Sequence, residues 1–431
     1  MSLLGAMNTA ITGLNAQSAA FSNIGDNVAN SQTIGFKETD TRFVDYLTNS
    51  TKTENLSGSV VATPDYQNTV QGTITQSDSP LAMAIAGQGF FPVSQGTGGV
   101  TGQPVFSPQP QYTRAGDFRM DKNGYVVNGS GQYLNAWAVD SSGNVNRTAL
   151  APIQVGQAGY SPVQTSQLTL SANLPTTPSS ASLPPTQVPV YDALGNQQQL
   201  LLSWSQTGTP GTWSVAISSP GAQPQAIGTA TVSFGTAGTT AAPGLVDSIK
   251  DPSGATIPYA AGQPAAFNIS ADFGSGPQAI KLNLGTFGQS NGLTQFAGTD
   301  LSVRSLSQDG VPAGSFTGVT ANANGDLVAT YSNGQNKVIA RVPVVTFASP
   351  DALQRQNDQA FTQTPDSGTA LAQDSGTNDA GGLVTGSVEG SNVDIAQQFS
   401  KLIVAQRAYS ANTKLVTTAD QMLQQTIDMK Q

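Results

Sequence analysis

The two ends of this chain carry a seven-residue apolar repeat, which limits the possible folds more than any other feature. At the N-terminus the repeat positions alternate at spacings of three and four: Leu4, Met7, Ile11, Leu14, Ser18, Phe21, Gly25 and Val28. At the C-terminus the larger apolar residues recur every seven positions: Ile395, Leu402, Tyr409, Val416 and Leu423. Smaller residues occupy the intermediate positions: Gln398, Ala405, Asn412, Ala419 and Thr426. This spacing is typical of a coiled-coil seam, so we expect a helical domain formed by residues 1–35 and 390–431.

Two apolar stripes at opposite ends of one chain most simply cover each other, so the chain is expected to run out and return. Ser391-Asn392-Val393-Asp394 has the pattern of a capping box and predicts the start of the last helix. Two interpretations of the stripes stay open. The helices form a plain hairpin within a monomer, or they also pack against further copies, because a two-helix hairpin leaves one side of each helix uncovered.

The region between the helices has the pattern of β structure. Short alternating segments are separated by turn sequences: Asp121-Lys122-Asn123-Gly124, Asn324-Gly325 and Asn333-Gly334. We therefore predict a mixed, mainly β fold in which nested β domains are flanked by the coiled-coil helices. The hairpin-rich inner β domain would comprise 81–165 and 301–347, and an outer barrel or sandwich domain would comprise 166–300. Polar stretches at 36–80 and 348–389 are predicted to be an extended linker region with short strands.

Charge and residue content exclude several classes of function. The chain has 17 Lys and Arg against 26 Asp and Glu, a net charge of −9, which argues against nucleic acid as a partner. It contains neither His nor Cys, so it cannot form a Ser-His-Asp or Cys-His triad or an ordinary zinc site. No apolar run approaches the length of a membrane span. We expect no cofactor, no metal site and no membrane insertion.

Several segments resemble the axial proteins of the bacterial flagellum, the family of rod and hook proteins. NVANSQTIGFK is similar to the family's Asn-rich signature that ends in Gly-Phe-Lys, and the matching residues are Asn27, Asn30, Gly35, Phe36 and Lys37. Further similar segments are TITQSDSPLAMAIAGQGFFPV, YTRAGDFRMDKNGYVVNGSGQYLNAW, EGSNVDIAQQF and IVAQRAYSANTKLVTTADQMLQQTI. The size of the chain and the segments VPVYDALGNQQQLLLSW and YSNGQNKVIARVPVVTF favour the hook type over the shorter rod type.

This resemblance implies a structural subunit of the flagellar hook without catalytic activity. Such a subunit is exported by the flagellar type III apparatus without a cleaved signal peptide, which agrees with a first basic residue as late as Lys37. Outside the cell it polymerises into a curved, flexible tube that transmits torque from rod to filament. The implied partners are copies of itself, the rod, hook-filament junction and hook-cap proteins, and the export apparatus. The apolar repeat residues would form the assembly seam.

Other functions stay open at this point. A distal-rod or hook-cap type of axial protein would belong to the same assembly class. A secreted carbohydrate-active enzyme or adhesin with helical ends is the alternative from another class. An enzyme of this kind needs two carboxylates that converge in a cleft. Asp117 and Asp121 are close in sequence, but Asp121 belongs to a turn and no aromatic sugar platform accompanies them.

Overall fold

A computed structural model describes residues 3–50, 55–98, 104–140, 142–156 and 159–428 of the protein. One α-helix lies near each end, α1 (Leu3–Ala29) and α2 (Ile395–Asp428). The predicted terminal helices are therefore confirmed. Neither of these two helices is long and apolar enough to cross a membrane.

Between the helices the regular structure consists of strands, apart from one short 3-10 helix, in the part of the chain that the structure describes. This confirms the predicted mixed, mainly β fold class. Before residue 157 they are β1 (Thr39–Ser50), β2 (Asn55–Tyr66), β3 (Ile74–Gln76), β4 (Met83–Ala86), β5 (Phe91–Thr97), β6 (Val105–Phe106), β7 (Gln111–Thr113), β8 (Arg119–Met120), β9 (Val126–Val127), β10 (Gln132–Ala138) and β11 (Ala151–Pro152). The next group is β12 (Gln167–Pro175), β13 (Thr186–Tyr191), β14 (Gln197–Gln206), β15 (Thr212–Ser218), β16 (Ala226–Phe234), β17 (Val246–Lys250), β18 (Thr256–Ile257), β19 (Pro264–Asp272), β20 (Pro277–Thr286), β21 (Thr294–Phe296) and β22 (Ser302–Gln308). The last group is β23 (Phe316–Ala321), β24 (Asp326–Tyr331), β25 (Asn336–Arg341), β26 (Val344–Thr346), β27 (Gln354–Arg355), β28 (Ala360–Thr362), β29 (Leu371–Gln373), β30 (Gly382–Thr385) and β31 (Ser387–Glu389), with a short 3-10 helix at Pro350–Ala352.

The chain divides into two compact units. The first contains Met1–Gln157, Gly318–Thr330 and Asn336–Gln431, and the second contains Ala158–Thr317 and Tyr331–Gln335. Residues 159–165 and 301–317 were expected in the inner β domain but group with the second unit, because β22 pairs with β12 and Val163 bridges Val311. The division into terminal, linker, inner and outer parts stays a prediction.

The second unit is a sandwich of two sheets. One sheet has the order β19-β20-β12-β21 with β22 beside β12, and the other has the order β13-β14-β15-β16-β17-β18. Both sheets contribute to one hydrophobic core that includes the buried indoles of Trp204 and Trp213. Strand β20 alternates exposed and buried residues along PQAIKLNLGT, which is the period expected when one face of a strand packs on a core. Of the two predicted forms, barrel or sandwich, the sandwich is observed.

The C-terminal segment before α2 contributes strands to several sheets of the first unit. Its strands pair with strands from much earlier in the chain: β31 with β3, β30 with β4, and β28 with β7. An aromatic core lies beneath them, formed by Phe90, Tyr112, Val345, Phe347, Leu353 and Phe361. Residues 348–389, predicted as a linker, therefore complete the sheets of this unit.

The segment after α1 also differs from the predicted linker with short strands. Strands β1 and β2 have 12 residues each and form an antiparallel hairpin. The hairpin packs along α1, where Val60 N donates to Thr12 Oγ1 at 3.2 Å and Asn23 Nδ2 donates to Thr41 Oγ1 at 2.8 Å. The segment lacks the alternating apolar pattern of a strand because α1, the helix that packs on it, contacts it through polar residues such as Thr12 and Asn23.

Candidate assembly site at the chain termini

The two terminal helices pack antiparallel to each other. Gly13 of α1 lies against Asn412 of α2, so that a Cβ at Gly13 would be 2.8 Å from Asn412 Nδ2. Towards the other end of the pair, Asn27 Nδ2 donates to Gln398 Oε1 at 3.2 Å. Small residues at the contact allow the two helix axes to come close.

The face of α2 that contacts α1 consists of the positions predicted as minor: Gln398, Ala405, Asn412 and Ala419. Gln398, Ala405 and Ala419 are buried. The larger predicted seam residues flank this face, and three of them are half-buried: Leu402, Val416 and Leu423. Ile395 and Tyr409 are exposed. The seven-residue period is present in the contact, but the bulkiest members of the repeat are not at its centre.

The most buried line of α1 is shifted from the predicted seam. It consists of Ala10, Ala16, Ala20, Ile24 and Asn27. The predicted residues Met7, Leu14, Phe21 and Val28 are half-buried, and Ile11 is exposed. The side chain of Leu4 lies outside the described residues. The shift arises because α1 is covered by the β1–β2 hairpin as well as by α2. One predicted pair does meet across the helices, since the rings of Phe21 and Tyr409 have centroids 6.1 Å apart.

Helix α2 keeps large apolar side chains on its uncovered surface. Those that are at least half exposed include Phe399, Ile403, Val404, Leu415 and Ile427. Val404 is 67% exposed, and Leu415 lies about three turns further along the same side of the helix. The exposed surface that carries these large apolar side chains is a candidate interaction site. We call it the outer face of α2.

A buried ion cluster lies where the two terminal segments meet the first unit. Oε1 of Glu389 lies 2.7 Å from Nζ of Lys37, and Oε2 lies 3.0 Å from Nη1 of Arg114. Each of these three side chains is at most 1% exposed. Nζ of Lys37 also donates to the Val70 carbonyl at 2.6 Å, and Nη2 of Arg114 donates to the Gly87 carbonyl at 2.8 Å. One carboxylate thus joins strand β31, the start of β1 and the end of β7.

The cluster holds two cations and one anion. Burial lowers the pKa of Lys37 to about 8, and repulsion by Arg114 adds to this effect while Glu389 opposes it. Burial also lowers the pKa of Arg114, again against the attraction of Glu389. Since an unpaired buried charge is costly, Glu389 is the residue on which both cations depend.

A second ion cluster ties α2 to the start of β1. Nζ of Lys401 lies 2.8 Å from Oε1 of Glu38 and 2.9 Å from Oδ2 of Asp40, and Gln398 Nε2 donates to the same Glu38 oxygen at 2.7 Å. Partial burial lowers the pKa of Lys401, but its hydrogen bonds to Glu38 and Asp40 outweigh burial and raise the pKa. These contacts hold the first turns of α2 against the start of β1.

The asparagines of the family motif shape the end of α1. Asn27 is buried, and its side chain accepts from Thr39 N at 3.0 Å and donates to Thr39 O at 2.9 Å. Asn30 Nδ2 donates to the Asp26 carbonyl at 2.9 Å, the same carbonyl that accepts from Asn30 N at 3.1 Å. Asn27 therefore holds β1 against α1.

The Gly-Phe-Lys end of the motif fits against the inner strands. Gly35 has φ +71, and a Cβ there would be 2.4 Å from Ala115 N, so only glycine fits without a shift of the backbone. Phe36 is buried beneath the guanidinium of Arg355, which lies 4.3 Å from the ring centroid. Lys37 follows directly in the ion cluster. The motif thus serves to lock the N-terminal segment onto the first unit.

Lys37 was predicted from the family motif, but its partners Glu389 and Arg114 were not predicted. Both lie in segments that carried the family resemblance, YTRAG and EGSNVD. Only 10% of the residues are charged, so a charge in these segments was a usable signal. The two acids considered for catalysis serve turns instead, since Asp117 accepts from Gly129 N at 3.0 Å and Asp121 from Tyr125 N at 2.7 Å.

Comparison with known proteins finds matches along the chain. Three family models match: "Flagellar hook protein FlgE/F/G D1 domain" at residues 84–173, "Flagellar basal body protein FlaE D2 domain" at 156–311, and "Flagellar basal body rod FlgEFG protein C-terminal" at 384–429. The flagellar hook protein FlgE of Brucella abortus is 32% identical over 435 residues, with 100% of both chains covered. That of Escherichia coli is 28% identical over 441 residues, with 99% of this chain and 100% of that protein covered. The crystal structure of Helicobacter pylori flagellar hook protein FlgE2 is similar at 15% identity and a TM-score of 0.44, covering 69% of this chain and 96% of that chain.

Proposed function

We infer that this chain, which belongs to the flagellar hook protein family, works as a structural subunit of the hook by assembling with copies of itself through its terminal helices. Its two terminal helices form the surface for self-assembly, with the predicted seam residues on it. Copies joined through this surface build a curved, flexible tube that transmits torque from rod to filament. The observation that carries this inference is the exposed apolar outer face of α2.

The outer face of α2 supports assembly on energetic grounds. Burial of apolar surface contributes about 25 cal/mol per Å², and side chains such as Val404 and Leu415 are more than half exposed in the single chain. Helix α1 packs on a neighbouring face of α2, so a further copy is the natural cover for these exposed side chains. Identical copies related by a rotation that does not close form a helical tube.

The low charge of the second unit supports flexibility of the tube. Residues 148–249 contain no Lys or Arg and only two acids, Asp192 and Asp247. Asp192 is buried in its own turn, where Oδ1 accepts from Asn196 N at 2.9 Å. Neighbouring copies of this surface would therefore meet without strong ion pairs that hold one register, so they could slide as the tube bends.

The ion clusters support transmission of load. Glu389 joins β31 to the segment before β1, and Lys401 joins α2 to Glu38 and Asp40, through buried or half-buried contacts. A force on the assembled helices would pass through these contacts into the sheets. The clusters are thus structural couplings between the assembly surface and the rest of the subunit.

The subunit is located in the flagellar hook, an extracellular appendage. The chain is exported by the flagellar type III apparatus without cleavage of a signal peptide. At the ends of the hook it meets rod, hook-filament junction and hook-cap proteins. It has no catalytic role.

Electron microscopy of polymer grown from the purified protein tests this function. Curved tubes that appear only above a critical concentration are expected. Straight tubes would favour the rod alternative. A small closed oligomer at every concentration would contradict assembly into a tube.

A further inference from the structure

A cavity of about 620 Å³ opens in the first unit beside α1, β2 and the turn between β27 and β28. The residues that matter for its chemistry are Asp26, Pro64, Tyr66, Arg355 and Gln359. The turn is held in an unusual conformation, with φ +61 at Asp358 and +55 at Gln359, which most residues avoid. The backbone of Gln359 is held against β7, because its carbonyl accepts from Thr113 Oγ1 at 3.0 Å. We call this cavity the Arg355 socket.

The guanidinium of Arg355 has spare hydrogen-bonding capacity. It stacks on the ring of Phe36 at 4.3 Å, and Nη1 donates to Thr39 Oγ1 at 2.6 Å. In the described part of the chain no carboxylate oxygen lies within 4.0 Å of it. Burial lowers the pKa of Arg355, and the charges of Tyr66 and Asp26 offset this only in part. A guanidinium has five donors in a planar fork that suits a carboxylate, so most of its capacity faces the cavity.

Strand β2 presents an unpaired edge to the same cavity from Ala62 to Tyr66, while α1 covers that edge at Val60. Among the described strands, β2 pairs with β1 alone in a two-stranded sheet. Val60 N donates to α1, away from β1, whereas Gln67 N donates back towards Glu38 O. Because backbone groups alternate along a strand, the N–H and C=O groups of Ala62 and Tyr66 and the C=O group of Pro64 point away from β1, as Val60 N does; Pro64 has no N–H to offer. An edge of this kind is a template for pairing with another segment of polypeptide.

We propose that the Arg355 socket receives an extended acidic segment from a second copy of this chain. A carboxylate of that segment pairs with the guanidinium of Arg355, and its backbone pairs with the edge of β2 at Ala62 and Tyr66. The inference rests on the proposed function, because the hook supplies the neighbouring copy.

Three observations favour a second copy over a small anion. The cavity of about 620 Å³ is about twenty times the roughly 30 Å³ that one water molecule takes in the liquid, so one small inorganic anion would fill only part of it. The open strand edge is recognised only by polypeptide backbone. The chain carries 26 Asp and Glu against 17 Lys and Arg, so a neighbouring copy offers carboxylates in excess.

The first test compares polymerisation of Arg355→Gln with that of Arg42→Gln. Arg42 lies exposed on β1 of the same hairpin and serves as the matched control. We expect the critical concentration to rise at least tenfold for Arg355→Gln, less for Arg355→Lys, and not at all for Arg42→Gln. Equal critical concentrations for the wild type and Arg355→Gln would overturn the socket. If the wild type itself forms no polymer, the proposed function fails instead.

The second test keeps Arg355 and so does not depend on the folding of a variant. A photo-crosslinking residue is placed at Gln356, and these chains are polymerised with an excess of ¹⁵N-labelled wild type. We expect crosslinks to a ¹⁵N-labelled peptide that contains Asp or Glu, and we expect Arg355→Glu to be rescued by Lys at that acid. Crosslinks confined to the chain's own ¹⁴N peptides would overturn the proposal. Binding of inorganic phosphate by the monomer without any ¹⁵N crosslink would identify the socket as a small-anion site and overturn it as well.

Discussion

Nζ of Lys37 lies 2.7 Å from Oε1 of Glu389, a contact between residues that are 352 positions apart in the sequence. Arg114 binds the other oxygen of the same carboxylate at 3.0 Å. Lys37 follows α1 and Glu389 precedes α2, so this pairing ties the segment after α1 to the segment before α2. The side chain of Glu389 therefore connects the segments next to both terminal helices with the β strands of the first unit.

Replacing Glu389 by Gln should destabilise the first unit strongly. The change leaves Lys37 and Arg114 buried without an anion, and breaking a buried pair in this way costs about 3–5 kcal/mol. Urea unfolding monitored by circular dichroism measures the loss. Arg147→Gln is the control, because its pair with Asp374 is 52% and 32% exposed and should be worth less than about 1 kcal/mol. Equal effects of the two changes would contradict the role given to the cluster.

The free energy of unfolding of the first unit should rise from pH 7 to 9.5. The pKa of Lys37 is about 8 in the folded protein against 10.5 ordinarily, so the folded protein releases this proton at lower pH than the unfolded chain. Between these values the unfolded chain binds more protons, and stability therefore increases with pH, by about 2 kcal/mol over this range. Lys37→Met should lack the rise. Parallel pH curves for wild type and Lys37→Met would refute the assignment.

Most of the second unit should be removable without unfolding the first. The segments at its two ends lie side by side, since Val163 N donates to Val311 O at 2.9 Å and Tyr160 N donates to Gly314 O at 2.7 Å. A short Gly-Ser turn in place of residues 164–310 should leave the first unit with its original melting temperature. Polymers of the shortened chain should form with altered curvature or stiffness. Failure of the remaining chain to fold, seen by circular dichroism, would show that the units depend on each other.

The sequence predicted the terminal helices well because their period is local, but the packing partner of each face is not local. The apolar repeat placed Leu14 at the centre of a seam, whereas the hairpin takes part of the α1 surface and moves burial to residues such as Ala20. The predicted start of α2 agrees with the structure, since the helix begins at Ile395 and Ser391 Oγ accepts from the backbone N of Val393, as expected. Asp394 lies just before the first turn and not within it, and it caps the helix by accepting from Ala396 N at 2.8 Å and Gln397 N at 3.2 Å.

The ion cluster could not be predicted because it joins three distant segments. Lys37, Arg114 and Glu389 share no spacing that a local pattern could detect. Nothing in the sequence specified that β31 pairs with β3 and thereby carries Glu389 to the end of α1. The motif NVANSQTIGFK pointed to Lys37 alone, and only the pairing of the strands shows that Arg114 and Glu389 lie beside it.

Assembly of the tube through the outer face of α2 is the central claim. Polymerisation of Val404→Asp and Leu415→Asp tests it directly. Both side chains are more than half exposed in the single chain, so the monomer should melt within about two degrees of the wild type, as expected of surface changes. In the polymer each change would bury a charge at a cost of several kcal/mol per contact. Thr413→Asp adds the same charge to an exposed polar position of α2 and is the matched control. We predict no tubes for Val404→Asp and Leu415→Asp at concentrations where wild type and Thr413→Asp form them. Normal tubes from the two variants, or equal loss in all three, would contradict the account.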